Sequence, residues 1–451
     1  MDSKIREYID ELLKRALEEG FSEAEVYYGS DNSMSVSARD GKIIEFENSD
    51  SSGISFRGLY NGQMGSADTE DIQPDMIPFL INQAKDNCKV LEVKEEITVF
   101  EGEKEYPEFN GFSEDLAKID YQMLADAALS MEKELLAYDP RIEAVDDSNA
   151  IYSSTVSYLQ NTKGMICETE TNDFAVYLGC RAKEGEDVQT YGKSWSFGTR
   201  AEFDAKKCAE YVGEHVVAKL GAEPVDSVKT PIVLDRFAAK SLLAAFSGAF
   251  NAEAIQKGLS RLVGKIGEKI ADEKITLIDE GMIEGSRLCC PFDSEGVVTK
   301  KTILIDKGVF KSALHNRKTA LADGVESTGN ASRGGKNGLG ISPANFHFET
   351  GSFTREELFQ KMENGIYITA VYGLHAGING ISGDFSLMSE GFVIRDGKVA
   401  EPVNQITIAD NFFDVLMKVD ALANDVEYFS PEASHIQSPS LLIPDVSVAG
   451  K

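Results

Sequence analysis

The sequence predicts an α+β fold of two domains, each with long, mostly antiparallel sheets flanked by helices. Three features carry that prediction. An amphipathic helix opens the chain, with Ile5, Tyr8, Ile9, Leu12, Leu13 and Ala16 spaced to form one helical face. The period then drops to two, punctuated by Asp40-Gly41 and Asn61-Gly62, dipeptides that suit tight hairpins because both residues tolerate positive φ. From Arg141 to Arg200 nearly every segment alternates apolar and polar residues, a pattern foreign to a doubly wound sheet.

In order along the chain, Ser3 is the expected N-cap of the first helix and Gly20 its stop. Strands are expected at Glu25–Tyr28, Met34–Ala38, Lys42–Glu47 and Gly53–Leu59, then a helix at Pro74–Asn87. Val90–Phe112 is polar, contains Tyr106-Pro107 and reads as a linker. A helix from Asp115 to Leu136 follows, ended by Asp139-Pro140. Strands at Ile142–Val145, Ile151–Gln160, Gly164–Glu170, Phe174–Ala182 and Thr190–Ser196 lead into a helix over Phe203–Leu220. The aperiodic stretch Gly221–Lys229 marks the boundary between a domain at 1–221, with a sub-boundary near 90–112, and one at 230–451. The second domain reads as a strand (Pro231–Asp235), one long helix (Phe237–Lys257), and strands at Ile275–Ile278, Thr302–Ile305 and Val309–Ser312. An irregular Gly- and Asn-rich span runs from Asp323 to Pro343. Thr354 and Glu357 form a capping box for a helix ending at Met362, and strands close the chain at Gly365–Val371, Phe385–Arg395, Val403–Ile408 and Ser440–Val448.

Composition excludes several functions. Seventy-five Asp and Glu against 45 Lys and Arg give a formal charge of −30, a field that repels a nucleic-acid backbone, and no basic run offsets it. The six cysteines show no CxxC spacing and no paired histidines, so the zinc templates fail and a reducing cytoplasm is expected. The first residues lack the apolar core of a signal peptide, and no run of about 18 apolar residues suggests a membrane span.

Chemistry-bearing motifs are sparse. His215, His315, His347, His375 and His435 are too far apart in sequence for any two to share a helix face, and His215 reads as a satisfied residue on an amphipathic helix. No G-x-S-x-G elbow is present, and Gly334–Gly338 and Gly377–Gly383 match no phosphate-binding pattern. The richest stretch is VYGLHAGINGISGDFSLMSE, Val371–Glu390, whose glycines between two strands imply a tight loop or a close backbone approach. Two readings stand there: a hairpin loop in which Asp384 caps local N–H groups, and the wall of a cleft that contacts an extended ligand.

Four stretches then carry a resemblance: FDSEGVVTKKTILIDKGVFKSALHNRKTA (Phe292–Ala320), STGNASR (Ser327–Arg333), INGISGDFSLMSEGFVIRDGKV (Ile378–Val399) running on into ITIADNFFDVLMKV, and SPSLLIPDVSVAGK at the end. Together with the opening pattern they make the chain similar to the TldD/PmbA family, and to its PmbA (TldE) branch in particular. The resemblance implies a cytoplasmic subunit of a heterodimeric peptidase that acts on extended peptides, a family also labelled modulators of DNA gyrase. In the TldD-type subunit an HExxxH helix holds one metal, taken as zinc, with a further ligand near the C-terminus. The matching helix here, around Leu242–Gly258 (LLAAFSGAFNAEAIQKG), has no His or Cys and one acid, Glu253, and Ala423-Asn424-Asp425 supplies no thiol.

The sequence therefore implies a non-catalytic PmbA/TldE-type subunit, without catalytic or metal residues of its own. Its partners would be a TldD-type catalytic subunit, which would carry the zinc, and an extended peptide; it would bind no nucleic acid or membrane. Peptide contacts are expected at Asn379, Gly383, Asp384, Phe385 and Ser386, with strand addition as the mode. Two alternatives are a peptidase whose site uses His375 or His435 with Asp384, and a homodimeric peptide-binding protein.

Overall fold

The computed structural model describes residues 1–90, 98–333 and 338–451, so residues 91–97 of the expected linker and 334–337 of the glycine-rich turn lie outside the described residues. Helix α1 (Ser3–Glu18) starts one residue earlier than expected: Asp2 is the N-cap, its carboxylate accepting from the Lys4 N–H at 3.0 Å. The four short strands expected next are two long ones, β1 (Glu23–Arg39) and β2 (Lys42–Tyr60), joined at Asp40-Gly41. Alternation fails in their middles because Ser, Asp, Asn and Gly occupy both faces there, yet the ladder continues unbroken through Gly29↔Gly53 and Asp31↔Ser51. Strand β3 (Gln63–Thr69) follows the Asn61-Gly62 turn, where both residues have positive φ as expected.

After α2 (Ile77–Val90), helix α3 (Tyr121–Tyr138) begins at Asp120 rather than Asp115, a short 3-10 turn at Leu116–Lys118 preceding it. Strands β4 (Ile142–Asn161) and β5 (Ile166–Glu184) again each merge two expected strands, and β6 (Asp187–Phe197) and α4 (Ala205–Ala218) complete the N-terminal half. The six strands form one antiparallel sheet in the order β3-β2-β1-β4-β5-β6. All four helices cover one face. Residues such as Val26, Ile54 and Phe56 pack under α1 and α2, and Val176, Leu178 and Trp195 under α3 and α4. Each fully buried aliphatic or aromatic side chain contributes roughly 1.5–3 kcal/mol relative to exposure.

The C-terminal half opens with β7 (Val228–Leu234) and α5 (Arg236–Phe246). The long helix expected here is broken. A 3-10 turn covers Ser247–Phe250, and Asn251 then caps the short α6 (Ala252–Gln256), accepting from the Glu253 N–H at 2.8 Å. Strands β8 (Leu277–Asp279), β9 (Thr302–Asp306) and β10 (Val309–Phe310), helix α7 (Arg317–Asp323), the β11 (Ala331–Arg333) and β12 (Leu339–Ile341) pair and β13 (Phe346–Phe348) follow. Helix α8 (Arg355–Met362) carries the expected capping box of Thr354 and Glu357. The remainder comprises β14 (Gly365–Tyr372), β15 (Asp384–Arg395), β16 (Lys398–Asn411), α9 (Phe412–Lys418), β17 (Ala421–Leu422), β18 (Ile436–Gln437) and β19 (Leu441–Ala449).

Strands β16-β15-β14-β7-β19 pair in series, and β19 pairs back onto β16 through Thr407↔Ala449 and Ile408↔Val448, closing a barrel. Both faces of β7 are buried, which explains its unbroken apolar run: Ile232 and Leu234 enter the core beneath α5, while Val233 packs with α8. A second sheet, β10-β9-β8-β13-β18, lies alongside.

The two halves meet at the β6 and α4 edge, through Lys193–Glu432 and Lys219–Glu390, and on the sheet face opposite the four helices. Arg57 on β2 donates to Glu25 on β1 at 2.8 Å and reaches Glu295 of the C-terminal half at 3.3 Å. Arg333 from β11 donates to the same Glu25, and the Arg317 N–H donates to Glu295 at 2.9 Å. The side chains of Glu25 and Glu295 are 0% and 2% exposed, so two acids and two guanidiniums balance charge out of contact with water. Removing one charge from such a set leaves its partners buried and uncompensated. Glu25→Gln is expected to lower the unfolding free energy by about 3–5 kcal/mol in urea titration; a loss under about 1 kcal/mol would show that the set contributes nothing to stability.

Candidate functional site

Helix α5 is set by its N-cap. Asp235 accepts from the Phe237 N–H at 2.9 Å and from the Tyr367 hydroxyl, and burial pushes its carboxyl above the usual range. Ala238, Ala239, Leu242, Leu243 and Phe246 turn into the barrel core. The opposite face presents Lys240, Ser241, Ala244 and Ala245 to a cavity of about 650 Å³. Its far wall is built by Leu374, His375 and Ile378 from the β14–β15 loop and by His435 and Ile436. Burial in this apolar setting depresses the Lys240 ammonium pKa.

The structure thus brings His375 and His435 to one cavity, which their separation in sequence concealed. It does not bring Asp384 there. Neither serine of the cavity is poised as a nucleophile, since Ser241 Oγ donates to Phe237 O at 2.8 Å and Ser434 Oγ to Ile436 O at 2.7 Å. His435 Nδ1 is held by Ala344 O at 2.8 Å. Among the described residues no group of three His, Cys, Asp or Glu side chains converges to hold a metal ion. A catalytic zinc centre takes three protein ligands, and α5 offers only methyl, hydroxyl and ammonium groups at this wall, so the donor set does not fit one.

His215 is satisfied, as expected: stacked on Tyr211 and Tyr191 with centroids 4.1 and 4.9 Å away, it has Nδ1 2.7 Å from Tyr211 O. All six cysteines are free thiols, four of them buried. The segment Ala423-Asn424-Asp425 is a tie in the fold, where Asp425 accepts from Ser440 N at 2.9 Å and Ser440 Oγ at 2.6 Å.

On the other side of His435 lies a second cavity, of about 530 Å³, between the uncovered face of the N-terminal sheet and the loops around Arg287–Ser294 and Gly329–Arg333. Nothing in the sequence reading singled it out.

The five residues expected to contact peptide sit on the β14–β15 loop and the start of β15. Asn379 Oδ1 accepts from Ile381 and Ser382 N–H, both at 3.1 Å. Asn411, the N-cap of α9, donates through Nδ2 to Asp384 Oδ1 at 2.9 Å, and Ser382 Oγ donates to Asp384 Oδ2 at 2.7 Å. These bonds hold the Asp384 carboxyl below its usual range. Gly383 and Phe385 are buried, whereas Asn379, Asp384 and Ser386 stay exposed. β16 takes one edge of β15 along its length, and β14 takes the other only over Met388–Ile394; at Asp384–Ser386 that second edge is closed by the loop itself, the Asn379 N–H donating to Asp384 O and the Ser386 N–H to Gly377 O, both at 2.8 Å. Gly383 has φ 90°, and a Cβ there would lie 2.8 Å from the Phe413 ring. Gly383→Ala is therefore expected to cost about 1–3 kcal/mol of stability; an unshifted urea midpoint would contradict a strained, tightly packed turn.

Comparison with known proteins places this geometry. The PmbA/TldA metallopeptidase domain 1 matches residues 24–88, the central domain 114–220 and the C-terminal domain 227–450. An uncharacterized protein of Methanocaldococcus jannaschii is 30% identical over 446 residues, spanning 96% of this chain and 98% of its own. Metalloprotease PmbA of Escherichia coli O157:H7 is 26% identical over 462 residues, 99% of this chain and 97% of its own. The fold matches that of a Thermotoga maritima protein described as a modulator of a DNA gyrase with a TM-score of 0.90 at 28% identity, covering 98% of this chain and all of that one. It matches TldE of Thermococcus kodakarensis with a TM-score of 0.87 at 23% identity, again over 98% of this chain and 100% of the other, a likeness of fold. By the domains matched along its length and by these relatives, the chain belongs to the PmbA/TldD metallopeptidase family.

Proposed function

We propose that this chain is the non-catalytic, PmbA/TldE-type subunit of a cytoplasmic peptidase complex, holding extended peptides for a TldD-type partner that supplies the metal. The observation that carries the reading is the cavity wall of α5: Lys240, Ser241, Ala244 and Ala245 face a space of about 650 Å³ that is roomy enough for a side chain and lacks a ligand set. The exposed side chains of Asn379, Asp384 and Ser386 enter as contacts outside the cavity lining, on the same β14–β15 loop that supplies Leu374, His375 and Ile378 to it and on the start of β15, and buried Gly383 and Phe385 shape the turn that holds them. Because β15 has no free edge, side-chain and loop contacts replace strand addition at this place.

A second reading, a stand-alone peptidase, draws on His375 and His435 sharing the cavity. Metal analysis of the purified chain separates the two: a stoichiometric transition metal favours the second.

The decisive experiment is reconstitution. An unstructured peptide is incubated with this chain alone, with a TldD-type subunit alone, and with both, each with and without chelator. Chelator-sensitive cleavage is expected only where the TldD-type subunit is present, and faster with both chains. Chelator-sensitive cleavage by this chain alone overturns the proposal.

A further inference from the structure

Beyond the apolar contact of Leu159 and Cys167 with Phe292, the face of the N-terminal sheet opposite its helices turns polar where a sheet against another domain would ordinarily be apolar. On β4, Ser153, Thr155 and Ser157 point to this face, and their partners across the ladder on β5 are Asp173, Thr171 and Thr169. On the other flank, β1 places Asp31 opposite Thr155 and Gly29 opposite Ser157. The C-terminal half does not fill the space above them: the cavity of about 530 Å³ lies there, roofed by Leu288–Ser294 and bounded at one end by His435. Arg287 pins the roof to the sheet by donating to Asp173 and to Ser196.

Part of this hydroxyl array is committed within the chain, Thr155 donating to Asp31 at 2.7 Å and Ser157 lying 3.1 Å from the Tyr27 hydroxyl. Beyond their backbone pairing, the hydroxyls of Ser153, Thr169 and Thr171 have no hydrogen-bond partner among the described residues, although all three residues line the cavity. Half-buried hydroxyls without protein partners, around a space between two domains, are arranged for a polar ligand.

The spacing points to which one. Alternate residues of a strand lie about 6.7 Å apart, and the peptide groups that point one way from any extended chain repeat at that same distance. Hydroxyls both donate and accept, so such a row can meet N–H and C=O groups alike without reading side chains. We propose that this cavity is a main-chain-binding trough: an extended peptide lies along β4 and β5, its amide groups bonded by Ser153, Thr169 and Thr171, and passes His435 so that one of its side chains reaches the cavity on α5. The assignment rests on the peptide-holding function proposed above, and it places the principal grip on the N-terminal sheet.

The test uses the full chain, alone and with its TldD-type partner, and an unstructured fluorescein-labelled peptide followed by anisotropy. The triple variant Ser153→Ala, Thr169→Val, Thr171→Val removes hydroxyls that bond nothing in the fold, so folding is retained. It is expected to bind the peptide at least about tenfold more weakly. On the wild-type chain, the same peptide N-methylated at alternate residues is expected to bind weakly too, whereas alanine replacement of its side chains has a smaller effect. Unchanged affinity of the triple variant, or equal binding of the N-methylated peptide, overturns the trough while leaving the peptide-holding function standing. Displacement of the peptide by a neutral oligosaccharide reassigns the hydroxyls and overturns it as well. Absence of any peptide binding by the wild-type chain in both states overturns the function and the trough together.

Discussion

The arrangement of the cavity between the two halves depends on the buried charge set of Glu25, Arg57, Glu295 and Arg333. An interface of this kind could have closed by burying apolar side chains from both halves, and that would have pressed the C-terminal domain flat against the sheet. Buried ions behave differently. They contribute little net stability over an apolar pair, but they tolerate only the geometry in which every charge is answered. Glu25 accepts from two guanidiniums, one from its own sheet and one from the other half. Around that point Leu159, Met165 and Cys167 pack with Phe292, while further along the strands the space stays open. The charge set thus acts as a spacer as much as a fastening.

Much of the fold was legible where local chemistry decides it. The hairpins at Asp40-Gly41 and Asn61-Gly62, the capping box of Thr354 and Glu357, and the stacked, satisfied His215 all follow from residues near one another in sequence. The long strands were misread as short ones for a physical reason: a strand that faces a polar cavity on one side and nears a sheet edge or water on the other loses the alternation that announces it. The break expected between Glu170 and Phe174 is continuous strand whose Thr171 and Asp173 line the cavity between the halves, and the one at Gly29–Ser33 is continuous strand outside that lining. The signal of the lining was present in Ser153, Thr155 and Ser157 at alternate positions, matched by Thr169 and Thr171. The break between α5 and α6 was also readable, since Asn251 followed by Ala-Glu is an N-cap pattern.

Other features were beyond sequence reasoning. Arg333 and Glu25 lie 308 residues apart, and no local pattern announces that they form a buried ion pair. His375 and His435 meet at one cavity only because β14, β15 and β18 are placed by strand pairing that the chain settles globally. The α5 wall shows the converse: its small residues looked like helix packing, and the structure turns half of them, Ala244 and Ala245, outward to a cavity while Ala238 and Ala239 do the packing.

The closure of the barrel through β19 has a kinetic side. That strand pairs with β7 along one edge and, along the other, with β17 at its start and β16 at its end. Val448 of β19 and its partner Val228 on β7 are separated by almost the whole C-terminal half, so β7 and β16 must wait for β19 with bare hydrogen-bonding edges. Contacts of such long range form late and slowly, and during that interval each bare edge is a template for any extended chain that arrives. If the finished chain holds extended peptides as proposed, the unfinished one is a strand acceptor of a less selective kind; β19 is the segment that ends that exposure.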